Sequence, residues 1–130
     1  MFGEELILGQ AEMSVDDKSR VVIPASTKRE VGEKLILIYD ESLEIYEIYS
    51  INKLREKFEK INTLIVESKN KNEEIQYKKK LCELSKSVLK IQKVDTQGRI
   101  TIGKNFEGVK KVLCIGAYDH LIIEPVKLKK

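Results

Sequence analysis

The sequence lacks any apolar run long enough to cross a lipid bilayer, which excludes a membrane-spanning helix. Among its 130 residues there are only two cysteines, Cys82 and Cys114, and they form no C-x-x-C pair. Such sparse cysteines predict reduced core thiols rather than a disulfide or a metal centre, and hence a cytoplasmic protein. The opening MFGEELILGQ is acidic with a very short apolar stretch, so we do not expect a secretory signal.

Signatures of catalysis and of cofactor binding are scarce as well. The single histidine, His120, stands beside Asp119 in AYDHL, a pattern typical of a surface turn. The pair Glu73–Glu74 is placed like the first-turn acids of a helix, and GKN at 103–105 lacks the features of a phosphate-binding loop. We therefore expect no enzyme, no catalytic residues, no metal, no cofactor and no small-molecule substrate.

What the sequence does contain is one phrase written twice. VDDKSRVVIP at 15–24 and VDTQGRITIG at 94–103 stand 79 positions apart. The identities in register include Asp16 with Asp95, Arg20 with Arg99, and Ile23 with Ile102. Three such identities in register indicate an internal repeat.

Both copies predict the same order of elements. In the first, alternation from Gln10 to Val15 predicts a half-buried strand, DDKS a turn, and the aliphatic run a second strand that Pro24 ends. A short helix ending at Gly32, the buried strand LILIY and the alternating strand LEIYEIY follow. The second copy has a shorter connector, with Gly103 in place of the proline.

Residues 51–90, between the copies, predict a helical hairpin. Ser50 is placed to cap the first helix and Asn72 to cap the second. Their apolar stripes are Ile51, Leu54, Phe58, Ile61 and Ile65, then Tyr77, Leu81, Leu84 and Val88. We expect these stripes to pack on each other or on the sheet, and contact with neighbouring subunits remains an open alternative.

The net charge of +3 is unevenly distributed along the chain. Residues 1–51 carry five basic and eleven acidic side chains, a net charge of −6, whereas residues 52–90 carry +5 and residues 91–130 carry +4. Neutralisation of phosphates supplies much of the affinity of nucleic-acid binders. A DNA-binding face would therefore have to exclude the acids of the first third.

The repeated phrase predicts a stiff loop that presents an arginine. An aspartate at the start of a turn accepts backbone N–H groups two residues further on. The loop would present Lys18 and Arg20, or Gln97 and Arg99, at the end of a two-stranded ribbon, which fits the major groove of DNA. For one copy, an Asp–Arg ion pair worth about 0–1 kcal/mol is the simpler interpretation, whereas two copies in register favour a pair of matched loops.

Taken together, DDKSR at 16–20, DTQGR at 95–99, the helical hairpin between them, the opening MFGE and the late LIIEP resemble the MraZ regulators. These are relatives of the AbrB-type swapped-hairpin transcription factors, and the resemblance covers nearly the whole chain. Two departures stand out, because Ser19 replaces the usual glycine and Gly103 replaces the usual proline.

The resemblance implies an α+β fold with two tandem AbrB-like β-β-(α)-β-β repeats, at 1–50 and 91–130, and a helical hairpin at 51–90. The repeats would intertwine into one pseudo-two-fold swapped-hairpin β-barrel. Subunits would assemble into a homo-oligomeric ring that binds short direct repeats in double-stranded DNA, upstream of division and cell-wall genes, in the cytoplasm at the nucleoid.

The candidate DNA-binding residues follow from these positions. The resemblance gives DNA contact to Arg20 and Arg99, with Lys18 and Gln97 beside them, and loop ordering to Asp16 and Asp95. Gly98 permits a loop conformation that other residues resist. Three further bases near the loops in sequence are candidate phosphate contacts, namely Lys28, Arg29 and Lys104. The alternatives are an antitoxin-like AbrB-fold protein that binds a toxin partner and DNA, and a structural oligomer without DNA affinity.

Overall fold

The computed structural model describes residues 1–126. Residues 127–130, the end of the predicted second repeat, lie outside the described residues. The strands are β1 (Gln10–Ser14), β2 (Arg20–Val22), β3 (Lys34–Asp40), β4 (Ile45–Ser50), β5 (Val88–Lys93), β6 (Arg99–Thr101), β7 (Lys111–Gly116) and β8 (Leu121–Pro125). The helices are α1 (Ile51–Val66) and α2 (Lys71–Ser87). The fold is therefore α+β, as predicted.

The strands of the two repeats pair with each other. One sheet has six antiparallel strands in the order β1-β7-β8-β4-β3-β5, and β2 pairs with β6 in a separate two-stranded ribbon. The pairs β1–β7, β3–β5 and β4–β8 each join one repeat to the other. Counted from either edge, the sheet begins with the first strand of one repeat, followed by the third and fourth strands of the other. Because each repeat's first strand lies beside the third strand of the other, the two repeats share one sheet.

The register of these pairs places the two Asp–Arg loops at opposite ends of the sheet, and the β2–β6 ribbon brings them together. Ser14 pairs with Lys111, and Lys93 pairs with Lys34, directly before residues 16–20 and 95–99. The β3–β4 turn lies at the other end of β3, about 20 Å away at roughly 3.4 Å per residue. The turn's acids, Asp40, Glu41 and Glu44, are thereby kept away from residues 95–99, whereas the turn lies at the same end of the sheet as residues 16–20.

The main core lies between the ribbon and one face of the six-stranded sheet. Both repeats contribute its buried side chains, which are Phe2, Ile7, Val21, Ile23, Leu35, Leu37, Tyr46, Ile48, Val94, Ile100, Ile102, Phe106, Val112, Cys114, Leu121 and Ile123. Burial raises the pKa of the Cys114 thiol to about 11. The prediction of a core thiol is wrong for Cys82, which is exposed because α2 buries none of its residues completely.

A second core covers the other face of the sheet. The sequence of β4 alternates and predicted one solvated face, but Tyr46 and Tyr49, on opposite faces, are both fully buried. The reason is that α1 packs over β3 and β4, where Leu54 meets Ile36 and Ile38. The alternating pattern therefore gave a wrong prediction for β4, because the face of the strand that carries Glu47 is also covered, by α1 and His120.

The two helices begin at capping side chains. Ser50 accepts a hydrogen bond from the Lys53 N–H at 3.2 Å, as the sequence predicted. Asn70, rather than the predicted Asn72, caps α2 by accepting from the Glu73 N–H at 2.9 Å. The extended backbone at Asn70 sets this start. Neither described helix is long and apolar enough to span a membrane.

The connector after β2 contains less helix than predicted, and the one after β6 is reduced to a turn. The helix expected before Gly32 is a single 3₁₀ turn at Ala25–Thr27, and Lys104–Phe106 forms its counterpart. At Gly103 a β-carbon would stand 2.8 Å from the Tyr46 hydroxyl. Because the Tyr46 ring fills this space, the second repeat has glycine where the first has proline.

Candidate functional site

The loop at residues 16–20 is organised by one carboxylate. Asp16 Oδ1 accepts from the Lys18 N–H at 2.9 Å and from the Arg20 N–H at 2.8 Å. Asp16 Oδ2 accepts from Arg20 Nε at 2.7 Å. Two backbone bonds of 3.0 Å, from Asp16 to the Arg20 carbonyl and from Ser19 to the Asp16 carbonyl, close the turn. A single side chain thus fixes both the turn and the direction of its arginine.

The loop at residues 95–99 has the same bonds. Asp95 accepts from the Gln97 N–H at 2.9 Å, from the Arg99 N–H at 2.8 Å and from Arg99 Nε at 2.8 Å. The two closing backbone bonds are again 3.0 Å. Every distance agrees with that of the first loop to within 0.1 Å. The repeated phrase therefore folds into two nearly identical loops.

The ribbon joins these loops on one face of the molecule. Arg20 pairs with Thr101, and Val22 pairs with Arg99, while the alternate residues Val21 and Ile100 point into the core. Directly paired residues, and residues two positions apart, lie on the same side of a ribbon. Both arginines therefore emerge from the outer face.

The arginines lie at the base of the loops and not at their tips. Their side chains are only 27% and 22% exposed for Arg20 and Arg99, and Arg99 Nη1 is also 3.7 Å from Asp16 Oδ2. Among residues 1–126, no hydrogen bond engages the Nη nitrogens of either arginine. The exposed tips instead carry Lys18 and Gln97.

Both loop carboxyls are held in the ionised form. The pKa of Asp95 is lowered, mainly by the backbone hydrogen bond from Arg99. For Asp16, burial is the largest influence and raises the pKa, but hydrogen bonds from Arg20 and Lys18 together outweigh it. The Asp–Arg ion pair is therefore present in both loops, and each loop, DDKSR or DTQGR, has as many acids as bases.

The three other candidate bases occupy different places. Arg29 donates through Nε to the Ile23 carbonyl at 2.9 Å, and its guanidinium lies against Gly98. Lys28 is exposed and ends the first 3₁₀ turn with a φ of 64°. Lys104 precedes Asn105, which lines a groove with Glu44 of the β3–β4 turn. Lys110 and Lys111, beside the first loop, line the same groove.

No protein-family model matches the chain. It is similar to the transcriptional regulator MraZ of Halothermothrix orenii, with 28% identity over 125 residues, which cover 89% of this chain and 78% of that protein. It is also similar to the transcriptional regulator MraZ of Caldanaerobacter subterraneus subsp. tengcongensis, with 34% identity over 65 residues. The predicted resemblance to the MraZ family is confirmed. The 65-residue match covers 50% of this chain and 45% of that relative, so it spans about half of each protein.

In this chain, four lysines beside the two loops were not predicted from the sequence. Lys34 and Lys93 are direct cross-strand partners beside the second loop. Lys110 and Lys111 lie beside the first loop, where the Lys110 carbonyl accepts from the Val15 N–H at 2.9 Å. All four are exposed. Only the register between the repeats brings each pair of lysines beside its loop, so no local sequence signal marks them.

A second feature that was not predicted from the sequence is the environment of His120. Its ring is stacked on Tyr49 with centroids 4.5 Å apart, and its nitrogens lie 3.0 Å from Glu47 and 2.8 Å from Asp119. Burial, the largest influence, opposes protonation, but hydrogen bonds that the ring donates to the two carboxylates raise the pKa of His120. The prediction of a simple surface turn is therefore wrong for this side chain, which ties the β7–β8 turn to β4.

Proposed function

We propose that the chain is a sequence-specific DNA-binding transcriptional regulator of the MraZ type. The observation that carries this proposal is the pair of matched Asp–Arg loops, joined by one ribbon on one face of the molecule. The names of the two relatives, both transcriptional regulators, support it.

The geometry suggests how each arginine reads a base. Because Asp16 and Asp95 occupy Nε, the two Nη groups of Arg20 and Arg99 remain to donate to the O6 and N7 acceptors of a guanine. Each good bidentate contact discriminates against a wrong base by roughly 1–3 kcal/mol. The aspartates also restrict the arginine rotamers beforehand, which lowers the entropy cost of binding.

Contact with phosphates requires bases outside the loops, since each loop has no net charge. Lys34 and Lys93 flank the second loop, Lys110 and Lys111 flank the first, and we assign this role to them. Lys18 and Gln97 at the loop tips, and Lys28 on the first connector, complete the proposed contacts. Lys104, which is exposed on the second connector, is a further proposed phosphate contact.

We further propose that the repeats at 1–50 and 91–130 form an AbrB-like swapped-hairpin barrel, with the hairpin at 51–90 between them. The exchange of strand partners between the repeats supports this. The resemblance supports a ring at the nucleoid that binds direct repeats upstream of division and cell-wall genes. Several loops acting on one DNA would gain affinity through a high effective concentration.

The test is selection of bound duplexes from a randomised pool, followed by binding measurements from low to physiological salt. We expect the wild-type protein to select one sequence and to lose affinity steeply as salt rises. The double variant Arg20→Ala/Arg99→Ala should lose the sequence preference, whereas Arg55→Ala, an exposed arginine on α1, should keep it.

Two outcomes would favour the alternatives. A wild-type protein that does not bind duplex DNA even at low salt would support a structural oligomer. Co-purification with one stoichiometric small protein would support an antitoxin-like function. Full sequence preference in the double variant would refute the assigned reading residues.

A further inference from the structure

We infer that the two loops are not equivalent: residues 95–99 form a preorganised reading loop, and residues 16–20 an adaptable one. On this view Arg99 is the main specificity-determining residue, and Arg29 and Gln92 position it through contacts with its loop and ribbon. The inference rests on the proposed DNA-binding function.

The first difference is a cover over the second loop. The Arg29 guanidinium lies so close to Gly98 that a β-carbon there would clash with it. Arg29 Nε donates to the Ile23 carbonyl at 2.9 Å, and the Ile23 N–H donates to the Gly98 carbonyl at 2.8 Å. Arg29 is therefore anchored to the strand that holds this loop. Gly98 is buried as a result, whereas its counterpart Ser19 is exposed.

The second difference is a side-chain clamp between β5 and β6. Gln92 Oε1 accepts from the Thr101 N–H at 2.9 Å, and Gln92 Nε2 donates to the Thr101 carbonyl. These bonds fasten the two strands that flank the second loop. The residue 79 positions earlier is Met13, whose thioether cannot make this pair of bonds. The first loop therefore lacks the clamp.

The third difference concerns the backbone and the arginines. Ser19 adopts a φ of 59°, in the left-handed region that disfavours residues with a β-carbon, whereas Gly98 holds 76° freely. Arg99 lies near the carboxylates of both Asp95 and Asp16, at 2.8 and 3.7 Å. Arg99 is therefore restrained from more directions than Arg20.

These restraints have opposite consequences for recognition. A side chain that is already fixed loses little freedom on binding and tolerates a wrong base poorly. A loop without cover or clamp can adjust to different bases. One subunit would thus combine a strict contact through Arg99 with a permissive one through Arg20.

The first test is amide hydrogen exchange in the full chain without DNA. The same backbone bonds hold Gly98 and Arg99 as hold Ser19 and Arg20, so equal loops should exchange equally. We expect the amides of the second loop to exchange at least tenfold more slowly. Arg29→Ala and Gln92→Met, the latter copying Met13, should remove this difference, and the neighbouring Lys28→Ala should preserve it.

The second test compares single variants by selection from a randomised duplex pool. Arg99→Ala should reduce the preference for the selected sequence tenfold or more, and Arg20→Ala only a few-fold. Arg29→Ala should lower that preference while leaving the affinity for scrambled duplex within about twofold, which loss of a phosphate contact would not do.

The outcomes separate the inference from the proposed function. Equal exchange in the two loops, or equal losses from the two arginine variants, would overturn the inference even if the protein binds DNA. Failure of the wild-type protein to bind duplex DNA would overturn the proposed function and, with it, the role given to Arg99. The exchange experiment would then still decide whether the loops differ in rigidity.

Discussion

Replacing Ser19 by glycine should stabilise the protein, because the serine adopts a backbone conformation that suits glycine better. Its φ is 59°, and the equivalent position of the other loop is Gly98, with a φ of 76°. Ser19 is exposed, and no hydrogen bond of its hydroxyl is found among residues 1–126. Removal of the side chain therefore sacrifices no hydrogen bond of the folded state.

The magnitude follows from two opposing effects. Left-handed backbone costs a residue with a β-carbon roughly 1–2 kcal/mol. Glycine in turn adds freedom to the unfolded chain, which costs about 0.5–1 kcal/mol. The net gain in the free energy of unfolding for Ser19→Gly is about 0.5–1 kcal/mol, which corresponds to a rise in Tm of about 2–4 °C for a domain of this size.

Urea unfolding followed by circular dichroism measures this change directly. The control is Ser14→Gly, because Ser14 lies exposed in β1 with ordinary strand geometry, and glycine there should destabilise by about 0.5–1 kcal/mol. The reverse change, Gly98→Ser, should destabilise by roughly 2–4 kcal/mol, since it combines backbone strain with displacement of Arg29. A loss of stability in Ser19→Gly would refute the reasoning.

Three further predictions follow. Because the pKa of His120 is raised, the stability that its ion pair with Glu47 contributes is fully present below about pH 6.5 and is lost as the pH rises through the pKa of the folded protein. His120→Gln should remove this pH dependence from the free energy of unfolding measured between pH 5 and 9. The lowered pKa of Asp95 gives stability above about pH 4 that is lost on acidification, and acid unfolding of Asp95→Asn should lack that contribution. Gly103→Ala should destabilise by about 1–3 kcal/mol through contact with the Tyr46 hydroxyl, and Tyr46→Phe should restore most of the loss in a double-mutant cycle.

Features fixed by nearby residues could be predicted from the sequence. The Asp95 turn depends on hydrogen bonds to Gln97 and Arg99, all within five residues, so the motif alone indicates it. The start of α1 at Ser50 has the same local character. The alternation in β1 also predicted its burial correctly, because one face of that strand is solvated.

Features that depend on distant contacts could not be predicted in this way. Nothing near Glu47 in the sequence indicates that α1 and His120 cover its side of β4. From the sequence, Arg29 was only a candidate phosphate contact. Its position against Gly98 arises when the first connector meets the second loop. The hydrogen bonds between Gln92 and Thr101 likewise could not be predicted, because they depend on the strand register that brings the two residues together.

The pairing of strands between the two repeats also affects how the sequence can evolve. A symmetric dimer of one repeat would carry every substitution at two sites at once. Here the same kind of frame is built from two separate stretches of one polypeptide, so each substitution occurs once. For example, the Tyr46 side chain can occupy the space beside Gly103 without a matching substitution near Pro24. A single covalent chain can thus keep two similar, paired repeats while each repeat acquires different side-chain contacts.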